Sequence, residues 1–170
     1  MLGIIIKNTI SFIALVLLQV LVLNNVQFSG YINPMLYVLF LLLLPFETSK
    51  SFLLILGFIV GLSIDMFTNT MGMHASACVF LCLVRPFILK YIEPRGGYEH
   101  EAFPSIREMG LAWYLSYAGI LVLMHHLVLF YVEVFRFSEL LTTFYRVILS
   151  ACFSLMLIII CQYLIFGNRK

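Results

Sequence analysis

The stretch GFIVGLSIDMFTNTMGMHA, residues 57–75, decides how the rest of the chain is read. It opens as a membrane helix carrying Gly57, Gly61 and Asp65 at spacings of four, so the three share one stripe. A polar turn, Thr68-Asn69-Thr70, interrupts it, and a second apolar run starts at Gly72-Met73-His74-Ala75. Asp65 is the only aspartate in the chain. A carboxylate inside or at the edge of an apolar segment is expensive and marks a place where helices meet something polar. Gly57-xxx-Gly61 lets a neighbouring helix approach closely, a weak signal alone that gains weight from Asp65 one turn on. The blander reading is a glycine seam with Asp65 capping a helix end near water.

Composition sets the class around this stretch. The 170 residues are 63% hydrophobic and 11% charged, with a mean hydropathy of +1.08. Soluble domains carry about a quarter charged residues, so this is the balance of an integral membrane protein occupying the whole chain as one domain. The net charge of +2 and the scattered basic residues exclude a nucleic-acid partner. Cys78, Cys82, Cys152 and Cys161 all lie in apolar runs, where a free thiol acts as a small hydrophobe.

Hydropathy divides the chain into six predicted membrane helices, over about 9–26, 31–46, 51–67, 72–92, 109–132 and 140–166. The first resembles a signal peptide but has no small-x-small cleavage site, and reads as an uncleaved helix. The second starts near Pro34 and ends at Pro45; at 16 residues it is short beside the roughly 20 a span needs. One long polar connection, residues 93–108, joins helices four and five. With an inside N-terminus, Lys7, Lys50, Arg85, Lys90, Arg95, Arg107, Arg169 and Lys170 fall on the cytoplasmic side. Only Arg136 falls in an outer loop, a clear positive-inside signal that supports the second helix as a span. Both termini are then cytoplasmic, and Asp65, the 68–70 turn and His74 lie at the outer face.

Helix six offers Asp65 a partner. Thr143, Arg146, Ser150 and Ser154 form one polar stripe, and Arg146 lies two turns, roughly 9 Å, inside the outer end. It either snorkels outward or pairs with Asp65. On helix five, the adjacent His125 and His126 point about 100° apart, so at most one, His126 by its phase, belongs to the interior stripe. No metal or cofactor set emerges, and no HExxH, Gly-x-Ser-x-Gly, phosphate loop or dinucleotide fingerprint is present, which argues against an enzyme.

The pattern Gly57-xxx-Gly61-Leu62-Ser63-Ile64-Asp65, followed by Gly72-Met73-His74-Ala75, resembles the bacterial rod shape-determining protein MreD family. Members carry a Gly-x-x-x-Asp segment, a short turn and Gly-Leu-His-Ala or a variant; Met73 here replaces the leucine. The resemblance covers 19 residues closely and the remainder in hydropathy and topology. It implies a non-enzymatic component of the cell-elongation machinery in the bacterial cytoplasmic membrane. Its partner would be an MreC-type bitopic protein. Less directly it would serve the MreB filament, RodA and a PBP2-type transpeptidase, so helping to organise lateral peptidoglycan synthesis and rod shape. The residues suggest that the MreC segment docks at the outer turn after Asp65 or on the Gly57/Gly61 face. The family is also distantly similar to the six-helix substrate-binding subunits of vitamin-uptake transporters, which is the alternative function. Against it, Ala14 is the only alanine of the first helix, where those subunits tend to carry an alanine face.

Overall fold

A computed structural model describes residues 2–25, 32–99, 102–134 and 140–166. Its helices are α1 (Leu2–Leu21), α2 (Val38–Leu42), α3 (Lys50–Thr68), α4 (Met73–Tyr91), α5 (Ile106–Met109), α6 (Leu111–Val134) and α7 (Leu140–Phe166), with a 3₁₀ turn at Leu23–Asn25. Among the described residues there is no strand. Four helices, α3, α4, α6 and the Leu140–Leu164 part of α7, are long and apolar enough to cross a membrane. They follow the predicted boundaries within about two residues, the scatter ordinary for helix ends. α3 packs on α4, α4 on α6 and α6 on α7, while α1 lies against α3.

Polarity is distributed as lipid solvation demands. Phe52, Ile55, Phe58, Met66, Phe87 and Leu164 are exposed, whereas Gln19, Arg85, His125, His126, Ser150, Ser154 and Gln162 are buried. With hydrocarbon outside, the apolar side chains face outward without cost and the polar ones must find partners within the protein. The protein is therefore an all-helical membrane protein.

The second predicted helix is the main departure. Of residues 31–46, only Val38–Leu42 is helical; residues 32–37 precede it without regular structure, and Tyr31 lies outside the described residues. Tyr37, Val38, Leu39, Leu41 and Leu42 are completely buried. Tyr37 lies at the level of His74, at the start of α4, and Leu44 at the level of Arg85, further down it. The segment thus runs beside α4 inside the bundle. Backbone without helical bonds is tolerated at membrane depth only where protein shields it and answers its polar groups.

Those answers come from side chains of four neighbouring helices. The N–H groups of Asn33 and Met35 donate to Ser150 Oγ (3.1 Å) and Ser154 Oγ (2.8 Å) on α7. From α1, Gln19 takes the N–H of Leu36 on Oε1 (2.7 Å) and donates Nε2 to the Pro34 carbonyl (2.9 Å). Tyr117 on α6 donates to Leu42 O (2.9 Å), and Arg85 on α4 donates to the carbonyls of Leu44 and Pro45. Ser150 and Ser154 of the α7 polar stripe and Gln19 of α1 are thereby accounted for.

Arg85 also departs from expectation. It is 1% exposed, and its Nε donates to Tyr117 Oη at 2.7 Å, so the charge expected near the cytoplasmic end of the fourth predicted helix faces the protein interior. The 93–108 connection is pinned where it is described. Tyr98 stacks on Phe46 (centroids 4.1 Å apart) and donates to Leu89 O, and Trp113 donates to Ile92 O. Burial first, then nearby Glu93, pushes the Tyr98 phenol up to about 12. Ser105 caps α5 by accepting the Glu108 N–H.

Candidate functional site

Asp65, Gly72 and His74 meet at the turn between α3 and α4. α3 ends where Asn69 takes a left-handed conformation (φ 57°), a role for which asparagine is suited. The N–H groups of Asn69 and Thr70 both return to the Asp65 carbonyl. Gly72 then takes φ 79° as the residue before α4, offering no side chain to cap the new helix. Asp65 supplies that cap from the previous helix. Its Oδ1 accepts from Thr70 Oγ1 (2.5 Å) and the His74 N–H (3.1 Å), and its Oδ2 accepts from the Ala75 N–H (2.9 Å). Two otherwise unpaired first-turn amides of α4 are satisfied, and a negative charge sits where the helix dipole favours it.

Gly57 and Gly61 set the distance between the two helices. A Cβ on Gly61 would stand 2.3 Å from Ala75 Cα, and one on Gly57 would stand 2.7 Å from Cys82 Sγ and 3.0 Å from the Cys78 carbonyl. The seam is filled by α4 of the same chain, so the Gly57/Gly61 face does not receive an outside partner as the sequence reading allowed. The turn itself stays open, with Phe67 and Met71 exposed.

The expected pairing of Asp65 with Arg146 is not formed. Arg146 lies 3.4 Å from Glu133 and places its guanidinium 4.7 Å from the Phe130 ring. Asparagine 33, with its amide turned to satisfy both ends, accepts from Arg146 at 3.0 Å. Asp65 draws its donors from the turn beside it instead.

Behind the turn a chain of hydrogen bonds enters the core. His74 Nδ1 is 2.8 Å from Tyr37 Oη, which is 2.9 Å from His125 Nε2. Cys78 Sγ lies 3.8 Å from the same His125 nitrogen. His126 donates Nδ1–H to Val122 O (2.8 Å) and takes the Ser154 hydroxyl on Nε2 (3.1 Å). Both adjacent histidines are therefore buried, correcting the expectation of one: His125 faces the 32–46 segment and His126 faces α7. Their 100° separation fits because the bundle surrounds α6 on more than one side. Tyr37 and Arg85, central to this interior, were not singled out as site residues from the sequence. The signal available for Arg85 was an arginine followed by Pro86 within an apolar run.

A cavity of about 490 Å³ opens at the same end of the bundle. His74, Thr68 and Thr70 line it from the turn, Asn24 and Asn25 from the end of the first helix, and Glu133 from α6. A second, largely apolar recess of about 510 Å³ lies between α1, the 32–46 segment and α3. Among the described residues no group of three or more His, Cys, Asp or Glu is arranged to hold a metal ion. No protein-family model, curated protein or solved structure matches this chain.

Proposed function

We propose that the chain is a non-enzymatic, multi-pass scaffold of the MreD type in the bacterial cytoplasmic membrane. It binds an MreC-type bitopic protein and helps organise lateral peptidoglycan synthesis, with the MreB filament, RodA and a PBP2-type transpeptidase as indirect partners. Six crossings with cytoplasmic termini follow from the placement of Lys and Arg, the second being made by the 32–46 segment.

The observation that supports this reading is the use made of the motif. Gly57, Gly61, Asp65, Gly72, His74 and Ala75, the residues carrying the resemblance, act together in one device that sets the α3–α4 hairpin. A motif serving to hold a rigid hairpin suits a protein whose work is to present a surface. The surface left open is the outer turn, where Phe67 and Met71 stand exposed, and the partner's segment docks there.

A tagged copy, gently solubilised from membranes, tests this by mass spectrometry of what stays bound. The proposal expects a bitopic protein with a large periplasmic domain together with wall synthases, and weaker recovery from Met71→Asp. Recovery of ATPase subunits in their place would move the assignment to the uptake-transporter alternative.

A further inference from the structure

The outer cavity is built to select. Its 490 Å³ is within the range of small-molecule sites, roughly 300–1,000 Å³. Its walls are mixed, with Phe67, Leu129 and Phe130 apolar and Asn24, Asn25 and His74 polar. Asn24 Oδ1 is used by Gln19 and Asn25 Nδ2 by Leu21 O, which leaves the Asn24 amide hydrogens and the Asn25 carbonyl to offer. The one formal charge in the lining, Glu133, is balanced by Arg146 at 3.4 Å. A charged guest would therefore give up water on its protein-facing side without gaining a free counter-charge.

The floor fixes which polar atom His74 presents. Tyr37 has one hydroxyl hydrogen for two histidine nitrogens, so one histidine must accept from it and the other donate to it. His125 Nδ1 is buried without a partner. Leaving it as a bare lone pair costs less than burying an orphan N–H, so His125 donates from Nε2 to Tyr37. Tyr37 then donates to His74 Nδ1, and the ring hydrogen of His74 sits on Nε2, the nitrogen left for the cavity. His74 and Asn24 thus both offer donors to the cavity.

We infer that this cavity binds a small uncharged organic molecule, with a carbonyl or amide acceptor placed against His74 and Asn24 and an apolar body against Phe67 and Phe130. Phe67 belongs both to this cavity and to the turn on which the scaffold reading docks its partner, so the inference is made of the protein without that partner.

Thiol reagents of similar size and different charge test the selection. In a Cys152→Ser, Cys161→Ser background, Thr68→Cys inside the cavity is compared with Met71→Cys, which is 99% exposed outside it. Relative to Met71→Cys, uncharged hydroxyethyl methanethiosulfonate should modify Thr68→Cys readily. The trimethylammonio and sulfonato analogues should both lag by about tenfold or more, the desolvation of a charge being the barrier. Equal entry of all three, or of none, overturns the inference, the first because the cavity is open water and the second because lipid or a partner covers it. A second measurement needs no cysteine variant. Mass spectrometry of small molecules extracted from the purified protein should find an uncharged carbonyl compound in the wild type and lose it in Asn25→Trp, which fills the mouth. Identical extracts overturn the inference.

Discussion

The α3–α4 hairpin and the buried 32–46 segment lie side by side and are held by opposite means. The hairpin is local: residues within ten positions of one another satisfy its turn, and small residues let two regular helices touch. The segment is non-local: its amides and carbonyls are answered by Gln19, Arg85, Tyr117, Ser150 and Ser154, from four different helices. One kind of region carries its instructions in its own sequence, while the other borrows them from the rest of the bundle. Both meet at Tyr37 and His74, where the segment hydrogen-bonds to the first turn of α4.

Substitutions separate the two modes, and the largest effect belongs to the hairpin. Gly61→Leu should abolish a monodisperse folded protein, since even one added carbon stands 2.3 Å from Ala75 Cα. Size-exclusion of the detergent-solubilised variant checks it, and a normal peak would break the close-packed seam. Next comes Asp65→Ala, which leaves the His74 and Ala75 amides buried without partners. A loss of roughly 2–4 kcal/mol is expected in SDS-titration unfolding, with Asp65→Asn losing less because its amide oxygen still accepts.

In the segment, Arg85→Ala strands the Leu44 carbonyl and takes a donor from the Tyr117 hydroxyl, which keeps its bond to Leu42 O, and should cost roughly 1–3 kcal/mol by the same assay. Gln19→Leu, almost the same shape, should cost about 1–3 kcal/mol through the unpaired Leu36 N–H and Pro34 carbonyl. The smallest effect is at the rim. Arg146→Gln should cost no more than about 1 kcal/mol, as half-exposed ion pairs do. Its effect should add to that of Asp65→Asn within about 0.5 kcal/mol, because the two residues share no partner. Strong coupling would restore the Asp65–Arg146 pair.

The same contrast explains what could be read in advance. The hairpin was legible because Gly57, Gly61 and Asp65 recur at helical spacing and the 68–72 turn is written in polar residues and glycine. The boundaries of α3, α4, α6 and α7 were legible from hydropathy. The 32–46 segment was not, because an unbroken apolar run reads alike as a membrane helix or as buried extended chain. Two of the partners of Arg85 are backbone carbonyls, which have no sequence signature, so its charge was read only as a cytoplasmic-side marker near the end of its helix. The polar stripe of α7 was visible, but its target was not, since Ser150 and Ser154 serve amides more than a hundred residues away.

Hydrogen exchange of the protein in lipid nanodiscs tests most directly whether the bundle holds a non-helical segment by borrowed hydrogen bonds. The amides of Asn33, Met35 and Leu36 should exchange as slowly as those of α4, and Gln19→Leu should speed that of Leu36 selectively. Exchange in wild type as fast as that of the Leu23–Asn25 turn would contradict the account.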